Sequence, residues 1–276
     1  MLFVEGSMLM LLMLSWLHTP VIRESALLAA TGFARTGDSL QDPGPIITDR
    51  PDFTESPETV PFGRAQLESG YTYSRLADNS EHAVGEVLLR VAVSRRSEIR
   101  LAANSYFLSS DSSSDAEGFE DPSLGFKFRL NDGGERARPN EPAIALILSS
   151  SLPIGDREVS ERKWQPSAVL AFGWDISDRS SAGVNLGYVY ASENGMRFSQ
   201  IIASAAFGVS LTERLGAYVE TYGFLPGAPA DSNQFYINGG LTLLLDEGQQ
   251  IDWRIGFGLN GIWPDWFTGL GAPWRW

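Results

Sequence analysis

The sequence has no cysteine and only two histidines, His18 and His82, in 276 residues. Without thiols there is no disulfide, no thiolate nucleophile and no cysteine-held zinc. Two histidines leave little from which to build a His-rich metal site or a Ser-His-Asp triad. No metal site, no catalytic residue and no cofactor is therefore expected. Lysine is scarce, and the formal net charge is −13. An acidic surface repels a phosphate backbone, which disfavours nucleic acid as a partner. Long apolar runs are missing as well. Beyond the N-terminus no stretch reaches the roughly eighteen apolar residues that a helical membrane span needs. Such a chain enters a membrane only as a closed barrel, the one sheet that pairs every backbone group in lipid.

What is abundant points the same way. Gly (28), Phe (15), Trp (8) and Tyr (8) are plentiful, a composition that suits alternating strands. The absence of cysteine is compatible with an oxidising periplasm. Residues 8–17 (MLMLLMLSWL) have the length of a signal-peptide core, and Ala29, Ala30 and Ala34 follow it. Cleavage is expected near Ala30 or Ala34. Glu5 stands where a basic n-region is usual, and Arg23 and Glu24 interrupt the path to the small residues. A start at Met8 or Met10, or a short buried helix, is the competing reading. The chain thus divides into a signal-like leader (1–34), an N-terminal periplasmic or plug segment (35–63) and a transmembrane barrel (64–276).

From about Ala65 onward one theme repeats: runs of about ten residues alternate apolar with polar or small, then break at turn residues. Leu124, Phe126, Phe128 and Leu130 alternate with Ser123, Gly125, Lys127 and Arg129. Leu67, Tyr71 and Tyr73 oppose Gln66, Glu68, Gly70 and Thr72. Val87, Leu89, Val91 and Val93 alternate with Glu86, Arg90 and Ala92, and Ile99, Leu101 and Phe107 with Glu98, Arg100 and Asn104. Ile251, Trp253, Ile255, Phe257 and Leu259 alternate with Asp252, Arg254, Gly256 and Asn260. Twelve such runs are present, an even number that places both ends on one rim. Tight turns at 94–96, 175–179, 212–214 and 246–249 fall at alternate connections. Longer connections at 109–121, 153–163 and 225–234 fall between them. The connection 131–141 is long on the rim that otherwise has short turns. The expected fold is an all-β, antiparallel, up-and-down barrel of about twelve strands in a bacterial outer membrane.

A soluble sandwich or lipocalin-like barrel also alternates, with its apolar face inward. Two features favour the membrane. Charges on the polar faces are mixed in sign (Glu86 with Arg90, Glu98 with Arg100, Asp252 with Arg254), as in a lumen that pairs its charges. Aromatics such as Tyr188, Tyr190, Trp174 and Trp253 lie near strand ends, as in interfacial girdles. The chain closes on Gly271, Trp274 and Trp276, which resembles the C-terminal signal read by barrel-assembly machinery. Pro273 is unusual in a paired strand because it has no ladder N–H.

Residues 45–61 read PIITDRPDFTESPETVP, too rich in proline and acid for a wall strand. The TDRPDFTESP block at 48–57 is followed by Val60, Pro61, Gly63, Gln66, Glu68, Gly70 and Tyr73. Later come SLPIG at 151–155, YGFLP at 222–226, NGG at 238–240 and QID at 250–252. Together these resemble the outer-membrane transporter family named for the meta-pathway of phenol degradation, over roughly residues 46–276. The resemblance implies a barrel that passes small compounds, aromatic or hydrophobic ones among them.

The expected function is a channel or transporter for such solutes, with the bilayer and the assembly machinery as its other partners. Asp49, Arg50, Asp52 and Glu55 are candidates for a plug or gate. Glu68, Glu86, Arg90, Arg100, Lys127, Arg129, Asp252 and Arg254 are the lumen candidates. A solvated leader that merely orders the first strand is the plain alternative for 48–57. Two rival functions stay open. An outer-membrane lipase or protease would need a base, and His82, placed in the first loop, is the only histidine in the barrel region. An adhesive barrel would use the serine- and acid-rich loop 109–121. Asp111, Asp115, Glu117 and Asp121 there match no calcium-loop spacing.

Overall fold

A sheet with two unlike faces requires side chains that alternate strictly in character, because successive residues point to opposite sides. The computed structural model describes residues 44–276 except 77–78, 111–114, 135–139, 227–232 and 261–263. The leader expected over 1–34 lies outside the described residues. The strand segments are β1 (Ala65–Glu68), β2 (Gly70–Leu76), β3 (Asn79–Ser94), β4 (Ser97–Ser110), β5 (Asp115–Phe119), β6 (Ser123–Asp132), β7 (Ala143–Ser151) and β8 (Pro166–Ser177). They continue with β9 (Ser180–Glu193), β10 (Met196–Ser210), β11 (Leu215–Leu225), β12 (Gln234–Asp246), β13 (Gln249–Gly258), β14 (Trp266–Gly271) and β15 (Trp274–Arg275). Consecutive segments β1/β2, β5/β6 and β14/β15 each make one stave, so the wall has twelve. Every pairing is antiparallel. Leu270 of β14 lies opposite Tyr71 of β2, and Arg275 of β15 opposite Gln66 of β1. The last stave therefore meets the first and the barrel closes, leaving no edge to mask. Pro273 sits in the break between β14 and β15, where its missing N–H interrupts the ladder only locally.

The two rims differ as the turn chemistry requires. Two-residue turns close β3–β4, β8–β9 and β12–β13 on the rim that carries both ends of the wall, which is the periplasmic rim of an outer-membrane barrel. The long connection between β6 and β7 lies on that rim too. On the other rim Asn194 and Gly195 join β9 to β10 with φ of 49° and 77°. An Asn-Gly pair in this left-handed region makes the tight hairpin whose twist matches its strands.

Which face meets lipid is decided by β6. Phe126, Phe128 and Leu130 are 40, 39 and 53 % exposed on the outside, while Lys127 between them is fully buried inside. The other staves agree: Leu186, Ile201, Phe207, Val219, Leu241 and Trp253 all face outward. The interior is correspondingly polar. Its largest fully buried side chains include Arg90, Lys127, Gln66, Glu58, Glu68, Glu98 and Glu220, and among the apolar ones Ile46 packs against Leu244. A charge placed on the outer face of the mid-wall is expected to cost about 2–4 kcal/mol. Phe126→Arg should accordingly reduce the heat-shifted, folded band on a gel. Lys127 shows that a cation one residue away is tolerated only by pointing inward.

Three placements differ from the sequence reading. His82 is not in a loop but in β3, with its Nδ1 2.8 Å from the Tyr71 hydroxyl and its ring against Tyr73. Phe107 faces the interior rather than lipid. A bulge in the β3–β4 ladder near Val87 and Asn104, with Asn104 at φ 51°, reverses the parity of the β4 residues beyond it and turns Tyr106 outward in place of Phe107. The segment 109–121 is not one open loop, because β4 and β5 continue as a paired hairpin to Ser110 and Asp115. Asp111 lies outside the described residues.

Candidate functional site

A buried segment without secondary structure must find partners for its own backbone. Residues 44–61 run through the barrel interior in this condition, and the wall supplies what they need. The Asp49 N–H donates to Glu68 at 3.0 Å, Phe53 N–H to Glu220 at 2.8 Å, Glu55 N–H to Asn185 at 2.6 Å and Val60 N–H to Glu98 at 2.7 Å. Carbonyls are met equally. Gln66 donates to Ile47, Arg254 to Pro51, Asn185 to Glu55, Lys127 to Ser56 and Arg90 to Glu58, all at 2.8–3.0 Å. Pro51, Pro57 and Pro61 have no N–H to satisfy, which suits them to such a path.

Charge fixes the segment laterally. Arg90 is 1 % exposed and reaches Glu98 at 2.8 Å, Glu68 at 3.0 Å and Asp49 at 3.2 Å. Asp49 also meets Lys127 at 2.7 Å and pairs with Arg100. Arg100 takes Glu55 at 2.7 Å, and Arg129 takes Glu58 at 3.0 Å. Burial raises the pKa of the Asp49 carboxyl, but the charges of Arg90, Lys127 and Arg100 outweigh it and hold the group well below the usual carboxylate range. Asp52 differs. Burial, then the neighbouring Glu220 carboxylate, pushes its pKa well up and favours the neutral acid.

A second cluster forms around Arg50. Arg50 pairs with Glu86 at 2.9 Å, and Arg254 donates to Thr72 at 2.7 Å. The guanidinium of Arg50 lies across Gly70, so a Cβ there would have to displace it. Asp252 is buried, yet neither of its carboxylate oxygens has a hydrogen-bond partner among the described residues. Arg254 turns to Thr72 and the Pro51 carbonyl instead.

The candidates Asp49, Glu68, Arg90, Arg100 and Lys127 thus form one cluster, joined at its flanks by Glu55 and Arg129. Arg50, Glu86 and Arg254 form another. Residues absent from the candidate set complete the site: Glu98, Glu58, Glu220, Gln66 and Asn185. Gln66 and Glu98 are visible in the sequence as inward members of their strands. Asn185 and Glu220 become meaningful only once a backbone is placed against them.

Between the segment and the wall of β2, β3, β4, β6 and β7 lies a cavity of about 580 Å³. Arg50 and Glu55 bound it on the segment side, and Phe107, Leu88, Ala102 and Ile147 contribute apolar wall. Across the lumen β11 and β12 present aromatics inward. Tyr222 stacks on Tyr236 with centroids 4.8 Å apart, and Phe224 stands edge-on to both. Phe53 of the segment stacks on Tyr222 at 4.4 Å.

Residues 48–276 match the model of the family described as "Putative MetA-pathway of phenol degradation". The chain belongs to this family. The family's span begins at Thr48, so it includes the segment inside the barrel as well as the whole wall. Among solved structures the chain is similar to a COG4313 outer membrane channel from Pseudomonas putida F1, at 12 % identity and a TM-score of 0.62, over 79 % of this chain and 97 % of that one. It is also similar to the NanC porin, at 7 % identity and a TM-score of 0.50, over 76 % and 98 % respectively. At these identities the likeness shows the fold, that of an outer-membrane barrel. A search of curated proteins finds no sequence match. In this member of the phenol-degradation family the chain end lies on the outer surface. Trp274 and Trp276 are 52 and 49 % exposed with their rings 5.4 Å apart, and Gly271 faces inward against Asp252.

Proposed function

We propose that the protein is a channel for small aromatic or apolar solutes, and that residues 44–60 restrict the passage as a plug. The observation that carries this reading is the cavity of about 580 Å³, bounded by the plug on one side and by mixed apolar and charge-paired wall on the other. Its size suits a single small ring rather than an oligosaccharide. Four of its lining charges are compensated in pairs, Arg50 with Glu86 and Arg100 with Glu55, and Glu120 accepts from the Ser105 hydroxyl, so a neutral ring suits the space better than an anion. The lipid-facing Trp274 and Trp276, with Gly271, serve as the aromatic edge offered to the barrel-assembly machinery before closure. A catalytic reading finds no support: His82 is engaged with Tyr71 on the outward face, away from the cavity.

Cells depleted of general porins provide the test. Expression of this protein is expected to raise uptake of labelled benzyl alcohol and phenol several-fold over cells with an empty vector, and to leave glucose uptake unchanged. No gain for either aromatic would refute the channel. An equal gain for glucose would refute the aromatic class.

A further inference from the structure

Phe53 is the only aromatic ring between Ile46 and Val60, and it belongs to the segment that fills the lumen. It does not pack into an aliphatic core. It lies face to face with Tyr222, centroids 4.4 Å apart and planes 15° from parallel, and it meets the edge of Phe224 at 5.5 Å. Tyr222 in turn lies parallel to Tyr236 at 4.8 Å, also at 15°. Face and edge contacts together make a slot for one flat ring. Phe53 and Tyr222 are both only half-buried, so the slot is reachable from the lumen. Below it the N–H groups of Phe53 and Thr54 are both held by the single carboxylate of Glu220. The ring and the docking of the segment are therefore one unit.

From this geometry we infer that the Tyr222–Phe224 face, backed by the stacking of Tyr236 on Tyr222, is a binding subsite for an uncharged aromatic ring, and that Phe53 occupies it as a tethered stand-in for the solute. A ring arriving in the lumen binds only where Phe53 has left. By linkage it favours the state in which the segment is undocked from Glu220. The tether lowers the apparent affinity by the fraction of molecules in which the slot is open. This inference rests on the aromatic-solute reading above, and it adds the subsite and its coupling to the plug.

The test uses the full chain, refolded in nanodiscs, with a fluorinated phenol as the probe and fluorine NMR as the readout. Phe53→Ala is expected to tighten probe binding about fivefold or more, because the stand-in is gone. Tyr222→Leu is expected to weaken it about tenfold, and Tyr222→Phe, which keeps the ring face, to preserve it. Each variant is first checked for the heat-shifted band. If Tyr222→Leu does not fold, Phe224→Leu takes its place, and weakened probe binding is expected from the lost edge contact. Hydrogen exchange supplies a second reading. Saturating probe should accelerate exchange across residues 52–56 of the wild type, whereas a ligand bound elsewhere leaves it unchanged or slows it. Unchanged affinity in Phe53→Ala, unchanged affinity in Tyr222→Leu, or exchange that is unchanged or slowed would each overturn the inference. Failure here is distinguishable from failure of the channel reading. Aromatic uptake that persists in cells carrying folded Tyr222→Leu sinks the subsite and leaves the channel, while a wild type that carries no aromatic sinks the channel.

Discussion

Arg90→Met is expected to release the N-terminal segment from the lumen while the wall stays folded. The guanidinium holds two wall carboxylates, Glu98 and Glu68, and one from the segment, Asp49. It also donates to the Glu58 carbonyl at 2.9 Å. With Arg90 present, the cations Arg90, Arg100 and Lys127 face the acids Asp49, Glu55, Glu68 and Glu98. Without it, two cations face four acids, of which Asp49, Glu68 and Glu98 are buried. Removing one partner of a buried pair typically costs about 3–5 kcal/mol, because the remaining charge is left uncompensated out of water. The wall has an inexpensive way out. If the segment leaves, Asp49 and Glu55 leave with it, and water enters to solvate Glu68 and Glu98. The twelve-stave ladder takes no part in this exchange. Single-channel recording should show a higher open conductance than wild type, and residues 44–60 should lose protection in hydrogen exchange. The heat-shifted band should persist. Arg90→Met combined with Glu98→Gln should recover part of the protection, since one orphaned charge is removed. Wild-type conductance together with wild-type protection would mean that the charge cluster does not hold the segment.

Much of this site is legible in the sequence, and each misplacement has a physical cause. Alternation identifies a face only relative to its neighbours, so it works until a bulge changes the count. Leu124 to Leu130 has no irregularity on its β4 side, and the inward Lys127 is readable at once. In β4 the bulge near Asn104 inverts the parity, so Phe107, which alternation assigns to lipid, lines the cavity instead. His82 reads as a loop residue because polar Asn79, Ser80 and Glu81 precede it, although they are the first rungs of β3 against β2 and β4. The acids and prolines of 48–57 exclude a wall strand, and the inward arginines and Lys127 offer that segment counter-charges. What no pattern carries is the backbone. Glu220 and Asn185 matter because particular N–H groups of Phe53, Thr54 and Glu55 arrive opposite them, and that juxtaposition spans more than a hundred residues of sequence.

Deleting residues 46–60 is expected to have a larger effect than any single substitution, and it separates what seals the pore from what builds the barrel. Nothing in the wall ladder depends on the deleted stretch, for the staves pair with one another from Ala65 to Arg275. The interior charges do not become a burden once exposed. Arg90, Glu68 and Glu98 remain in contact with one another, and Arg100, Lys127 and Arg129 exchange plug oxygens for water, which removes the desolvation penalty that made them costly. The lumen of a barrel this narrow is restricted mainly by what stands inside it, so conductance should rise on the order of tenfold. Ion preference should move as well. The deleted stretch carries Asp49, Asp52, Glu55 and Glu58 against Arg50, four acids and one base, a net of three negative charges. Reversal potentials under a salt gradient should therefore shift toward anions relative to the Arg90→Met channel, which keeps those acids tethered at its mouth. A deletion that conducts no better than wild type would show that the constriction lies in the wall or the outer loops. A deletion that fails to give a heat-shifted band would show that the segment is part of what folds the barrel.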